Sequence, residues 1–206
     1  MKARVNFIRD LLVRSYEGSP WHSFKAAVRD LTEEEALWVP PTGYKGYRWA
    51  DGTILKIIFH LGADKLVQIS TAFGEGSVDW RAMEVRFRAM GGNLAAALQI
   101  AQEGYETTLD ALAPLTDDDL EVERPYWGGG RMPTGDLFLM LAEHDVYHAG
   151  QIIYIRGMYA AQNGDEGAFG AGERLPQVAQ LFLHQQACDG GQVVRDAFGG
   201  GVGAVR

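Results

Sequence analysis

The chain of 206 residues has one cysteine, Cys188. A lone thiol excludes an internal disulfide framework and a cysteine-rich zinc site. Long apolar runs are also missing: 47% of the residues are hydrophobic, but no stretch approaches the ~18 residues of a membrane helix. The opening stretch MKARVNFIRDLLVRSYEG carries a charge every few positions. It lacks the uninterrupted apolar centre of a secretory signal, so the expected location is intracellular and cytoplasmic. Basic residues are in deficit, with 19 Lys and Arg against 27 Asp and Glu and a net charge of −8. They are scattered among acids rather than gathered on a face, which argues against nucleic acid as a partner. A small anionic substrate held by one or two arginines stays possible. Strand-like alternation is absent as well, so no strands are expected.

Helical periodicity is what the sequence has. Four long segments carry it, over about residues 2–30, 53–73, 80–112 and 134–161. In the second, Ile54, Ile57, Ile58, Leu61, the stem of Lys65, Leu66 and Ile69 recur at helical spacing. The first should break at Gly18-Ser19-Pro20, with Ser19 capping a new helix. The third should kink or split at Gly91-Gly92. An all-α, up-and-down four-helix bundle follows, with additional short helices. Residues 1–161 would form it. Residues 162–206 would add a Gly-rich loop, a short helix near 175–188 and a Gly-rich tail too poor in apolar groups to order itself.

Two acidic turns, Leu31-Thr32-Glu33-Glu34-Glu35 and Leu115-Thr116-Asp117-Asp118-Asp119, read as short helices capped by threonine. Their offset is 84 residues. The same offset relates Pro41 to Pro125, Gly46 to Gly130, Leu55 to Leu139 and His60 to His144. This points to a repeated helix–turn–helix unit. If the halves pair about a pseudo-twofold axis, His60 lies opposite His144.

That matters because His144 and His148, four residues apart, leave one helix face together. Such a pair chelates a divalent ion. Five histidines make a chance pair plausible, but both lie in a largely apolar helix, where an unpartnered imidazole is costly. His60 lies in a second apolar segment and becomes the third ligand. Three imidazoles leave a coordination position open, as in catalytic rather than structural sites. They suit zinc, nickel, iron or copper and do not choose among them. Asp64, four residues after His60, would either orient a ligand or act as a catalytic base. Asp145 points away from His144, toward a salt bridge or cap. Gln151 would line the site or pack; Tyr147 and Arg156 are candidates to meet a substrate. His22, His184 and the five tryptophans read as ordinary packing or surface residues, and Cys188 as no catalytic thiol.

At these residues the chain resembles the DinB superfamily of four-helix-bundle metalloproteins. The stretches SYEGSPWHSF, DLTEEEALWVPP, IIFHLGADK and EHDVYHAGQI carry the likeness, which covers about residues 10–157. The resemblance implies a three-histidine site at His60, His144 and His148, a divalent ion such as zinc or nickel, and a homodimer formed through bundle helices. It also implies metal-dependent transfer or isomerisation with a low-molecular-weight thiol such as bacillithiol or mycothiol. The segment after residue 161 departs from the compact family pattern. The leading expectation is a thiol-dependent S-transferase, with metal-assisted hydrolysis of a small molecule second. The rivals are a non-catalytic metal-binding or stress-response bundle, and a structural dimer that binds no metal.

Overall fold

The computed structural model describes residues 2–18, 22–40 and 52–164. Helix α1 (Ala3–Val13) runs into a π-helical turn, Arg14–Gly18, and is followed by the short helices α2 (Phe24–Ala27) and α3 (Glu33–Leu37). The long helix α4 (Ile54–Phe73) precedes α5 (Trp80–Ala89) and α6 (Leu94–Leu112). A 3₁₀ turn (Asp119–Glu121) and two strands, β1 (Glu123–Tyr126) and β2 (Gly130–Pro133), lead into α7 (Thr134–Asn163). Gly164 closes α7 in the left-handed conformation at φ 70°. The expected 162–206 segment, including His184 and Cys188, lies almost wholly outside the described residues. So do Ser19, Pro20 and Trp21, and residues 41–51 with Trp49.

Side-chain caps set most helix starts. Thr53 accepts from the Lys56 N–H at the start of α4, and Asn93 from the Ala96 N–H at the start of α6. Gly91 and Gly92, at φ 106° and 62°, divide the 80–112 segment into α5 and α6. Thr32 caps α3 as its sequence suggests. Thr116 does not behave like its counterpart: its N–H and hydroxyl both donate to Asp119, and no α-helix follows. Asp117 instead accepts from the N–H groups of Ala3, Arg4 and Val5, so it caps α1.

The expectation of no strands is corrected by the β1–β2 hairpin, in which Glu123 pairs with Pro133 and Tyr126 with Gly130. Each strand has only four residues and each contains a proline, too short and too irregular for alternation to register.

Helices α1, α4, α6 and α7 form the bundle. α4 packs on α6 and α7, and α1 packs on the same two helices, so α4 lies across from α1. Glycines allow the closest approach. A Cβ at Gly62 on α4 would sit 2.5 Å from the Ala101 backbone on α6, and one at Gly104 on α6 would sit 2.5 Å from the Gly62 carbonyl oxygen. One apolar cluster joins α4 residues Ile54 to Val67 with Ala149, Ile152 and Ile155 of α7. A second joins Val5, Ile8 and Leu12 of α1 with Ile69, Phe138 and Leu141. The helices α4 and α7 therefore run antiparallel. Between the two clusters they turn polar side chains toward each other.

Candidate metal centre

Burying polar groups between two helices demands partners for each of them. Lys65 and Asp145, neither exposed to solvent, form an ion pair between α4 and α7. Asp145 also accepts from the Ser15 hydroxyl at 3.1 Å, a residue the π-turn delivers from the α1 side. The expected salt-bridge role of Asp145 is thus realised, with a lysine that sequence reading counted on the apolar face of α4.

Next to this pair the three histidines converge. His144 Nε2 lies 3.2 Å from His60 Nε2 and 2.8 Å from His148 Nε2. One nitrogen from each ring falls within a group spanning 4.8 Å, and among the described residues no fourth histidine, cysteine or carboxylate joins it. His148 is 1% exposed, whereas His60 and His144 are partly open.

The far nitrogens fix the tautomers. His148 Nδ1 lies 2.7 Å from Gln151 Oε1. An amide oxygen only accepts, so Nδ1 carries the proton and Nε2 a lone pair. The Gln151 amide is itself oriented by donating to the Tyr147 hydroxyl at 2.9 Å. Asp64 Oδ2 lies 3.3 Å from His144 Nδ1, a contact that falls short of full hydrogen-bond geometry. A carboxylate there likewise favours the proton on Nδ1. Gln68 donates to the other Asp64 oxygen at 3.4 Å and accepts from the Trp127 N–H at 3.0 Å, which links the centre to the hairpin turn.

The Nε2 atoms of His144 and His148 face each other across 2.8 Å, close enough to share a proton or a metal cation. Protonation is disfavoured. Burial, reinforced by repulsion from His144, lowers His60 to about 4 and His148 to about 3. Burial alone would raise Asp64, but its contact with His144 and the nearby positive groups hold its carboxyl below the usual range. Converging imidazole nitrogens, two of the rings with an oxygen beside Nδ1, are the donor set a divalent ion wants. The residues fit the metal.

A match to the DinB superfamily model spans residues 19–152. The chain belongs to the DinB superfamily. In this DinB-superfamily bundle the match covers α4 and the first two thirds of α7, hence all three histidines. No curated protein and no solved structure matches the chain. Among the described residues no helix is long and apolar enough to cross a membrane.

Other expected contacts lie elsewhere. Arg156 does not reach the centre; its guanidinium donates to Glu35 and to the Ala27 and Arg29 carbonyls, tying α7 to α2 and α3. His22 lines a groove of about 720 Å³ between the α1 segment and α7, together with Leu11, Arg14, Leu139, Val146 and Tyr147. None of the three converging histidines lines that groove, so the donor geometry, not this hollow, locates the candidate site. The sequence does not single out Gln68, and it reads Trp80 and Trp127 as packing residues, a role their ring contacts fit. Trp80 stacks on His60 at 5.1 Å and meets Trp127 edge-on. Gln68 had a legible signal, lying four residues after Asp64 on the same helix face. The tryptophans had none, because their contacts join distant segments.

Proposed function

We propose that His60, His144 and His148 hold a divalent metal ion, zinc or nickel, and that the chain is a metal-dependent enzyme acting on a small molecule. The observation that carries this reading is the meeting of three imidazole nitrogens in one group, with two of the rings faced at Nδ1 by Asp64 and Gln151. A three-histidine set leaves coordination space for a small molecule, the arrangement of catalytic rather than structural zinc. A bound ion would supply Lewis acidity that favours the deprotonated form of a thiol or water at neutral pH.

The protein's part is to hold and orient. His148 keeps Nε2 unprotonated because Gln151 occupies its Nδ1 proton. Asp64 favours the same tautomer of His144 by charge and proximity, and Gln68 donates to the carboxylate's other oxygen. This makes Asp64 a positioning residue rather than a base. Thiol transfer to an electrophile is the favoured reaction; hydrolysis comes second.

Metal content of tag-free protein tests the first step. We expect one ion per chain in wild type and loss of it in His148→Ala, with helical content retained. Wild type without stoichiometric metal, or His148→Ala carrying as much as wild type, defeats the reading. For the second step, low-molecular-weight thiols are paired with electrophiles and turnover is compared with His60→Ala. Conjugation unaffected by that substitution removes the enzymatic claim.

A further inference from the structure

The aromatic residues beside the histidines have no part in holding the ion. Trp80 opens α5 and lays its ring nearly parallel to His60, with 9° between the planes and 5.1 Å between centroids. Among the described residues its buried indole Nε1–H has no hydrogen-bond acceptor. An unsatisfied buried donor costs on the order of 1–3 kcal/mol. The indole N–H therefore carries a cost that a purely apolar ring would not. Trp127 meets Trp80 edge-on at 5.8 Å and 75°, yet is itself 51% exposed. The hairpin holds it by backbone. Its N–H donates to Gln68 Oε1, and the following Gly128 and Gly129 adopt φ 120° and 86°, which glycine accepts without strain. An exposed indole is thus displayed on a turn anchored to the residue that also contacts Asp64. His60, Trp80 and Trp127 form one run of contacting rings that begins at a proposed ligand and ends on an exposed indole.

We propose that Trp80 and Trp127 form the specificity subsite of the centre and take a planar apolar group, an aryl substituent, of the small molecule that reaches the metal. This rests on the metal reading given above. A cation is the other usual guest of an indole face, but a divalent ion one ring away repels it. An aryl group gains offset or edge-to-face contact with both indoles and carries no charge to oppose the ion.

The test uses the full chain loaded with cobalt(II) and two primary thiols, benzyl mercaptan and 2-mercaptoethanol, titrated by the visible spectrum of the cobalt. Wild type binds benzyl mercaptan the more tightly. Trp127→Ala keeps the cobalt spectrum and lowers the ratio of the two affinities about two- to tenfold, the worth of an aromatic pair. Trp127→Phe restores most of it. A ratio unchanged in Trp127→Ala overturns the subsite while leaving the metal reading standing. Loss of cobalt from Trp127→Ala also overturns it, since the indole then serves the fold. Wild type that takes up no cobalt, or whose cobalt spectrum neither thiol perturbs, overturns the metal reading or its coordination space, and the subsite with it.

Discussion

At the scale of single residues, the centre depends on which nitrogen of each imidazole holds the proton. A free histidine exchanges between tautomers; at His148 the Gln151 oxygen beside Nδ1 favours the form with the proton there. Asp64 exerts the same control on His144 by charge and proximity. Substituting Asp64→Asn should leave the fold intact but weaken metal affinity about 10- to 100-fold, the usual effect of removing a ligand's outer partner. Competition against a chelator of known affinity measures this, and an unchanged affinity would reduce Asp64 to a solvated acid. The same residues set a pH dependence for the metal-free protein. His60 and His148 are lowered to about 4 and about 3, chiefly by burial, whereas an unfolded chain's histidines titrate near 6.5. The unfolded state therefore takes up protons first as pH falls. Each histidine contributes stability that is fully present above about pH 6.5 and drains as pH drops toward its folded value. The urea midpoint of metal-free protein should fall between pH 6.5 and 4. In His148→Leu the fall should be shallower, and an equal slope in both proteins would refute the assignment.

Helices α4 and α6 approach so closely that glycine is required where they cross. A methyl group on Gly62 would meet the Ala101 backbone at 2.5 Å, and backbone cannot rotate aside as a side chain can. Gly62→Ala should destabilise by about 1–3 kcal/mol or more, as overpacking does. Gly150→Ala, on the exposed side of α7 with no described atom within 4 Å, should instead stabilise by about 0.5–1 kcal/mol through helix propensity. Thermal or denaturant unfolding of the two variants gives shifts of opposite sign if the crossing is as tight as it looks. What was legible in the sequence at this scale follows from local signals. Thr53 and the Ile54, Ile57, Ile58 spacing marked α4, Gly91-Gly92 marked the break before α6, and the 84-residue offset placed His60 against His144, where they meet at 3.2 Å. What was not legible depends on partners far away in the chain. Asp117 caps a helix that begins 114 positions earlier, and Trp80 meets Trp127 only because a hairpin of two proline-bearing strands brings it there. No spacing rule reports such contacts. Lys65 illustrates the opposite error: at an apolar helical position it reads as a stem with a solvated head, yet it is fully buried because Asp145 waits on the facing helix.

For the molecule as a whole, the Lys65–Asp145 pair raises the question of why a bundle core keeps two charges. Desolvating them costs several kcal/mol each, and well-packed apolar residues often do as well or better for stability. The pair sits where it can do something a leucine cannot. It joins α4 to α7 through charge, and α7 to the α1 segment through the Ser15 hydroxyl. His60 stands five residues before Lys65, and His144 immediately precedes Asp145. Slippage of α4 against α7 by one turn, about 5.4 Å, would separate His60 from the pair on α7 while still burying apolar surface. A charged pair admits one register where apolar packing tolerates several. Lys65→Met alone should lose about 3–5 kcal/mol, because it strands Asp145 in the core. The double variant Lys65→Met with Asp145→Leu should recover most of that loss, placing its denaturant midpoint near wild type. Its metal affinity should nevertheless be at least about tenfold weaker, the scale seen when support around ligands is removed, because nothing then holds His60 in register with His144 and His148. A double variant that is both as stable and as tight for metal as wild type would show that hydrophobic packing alone fixes the register. A double variant as unstable as Lys65→Met would place the pair's role in stability instead.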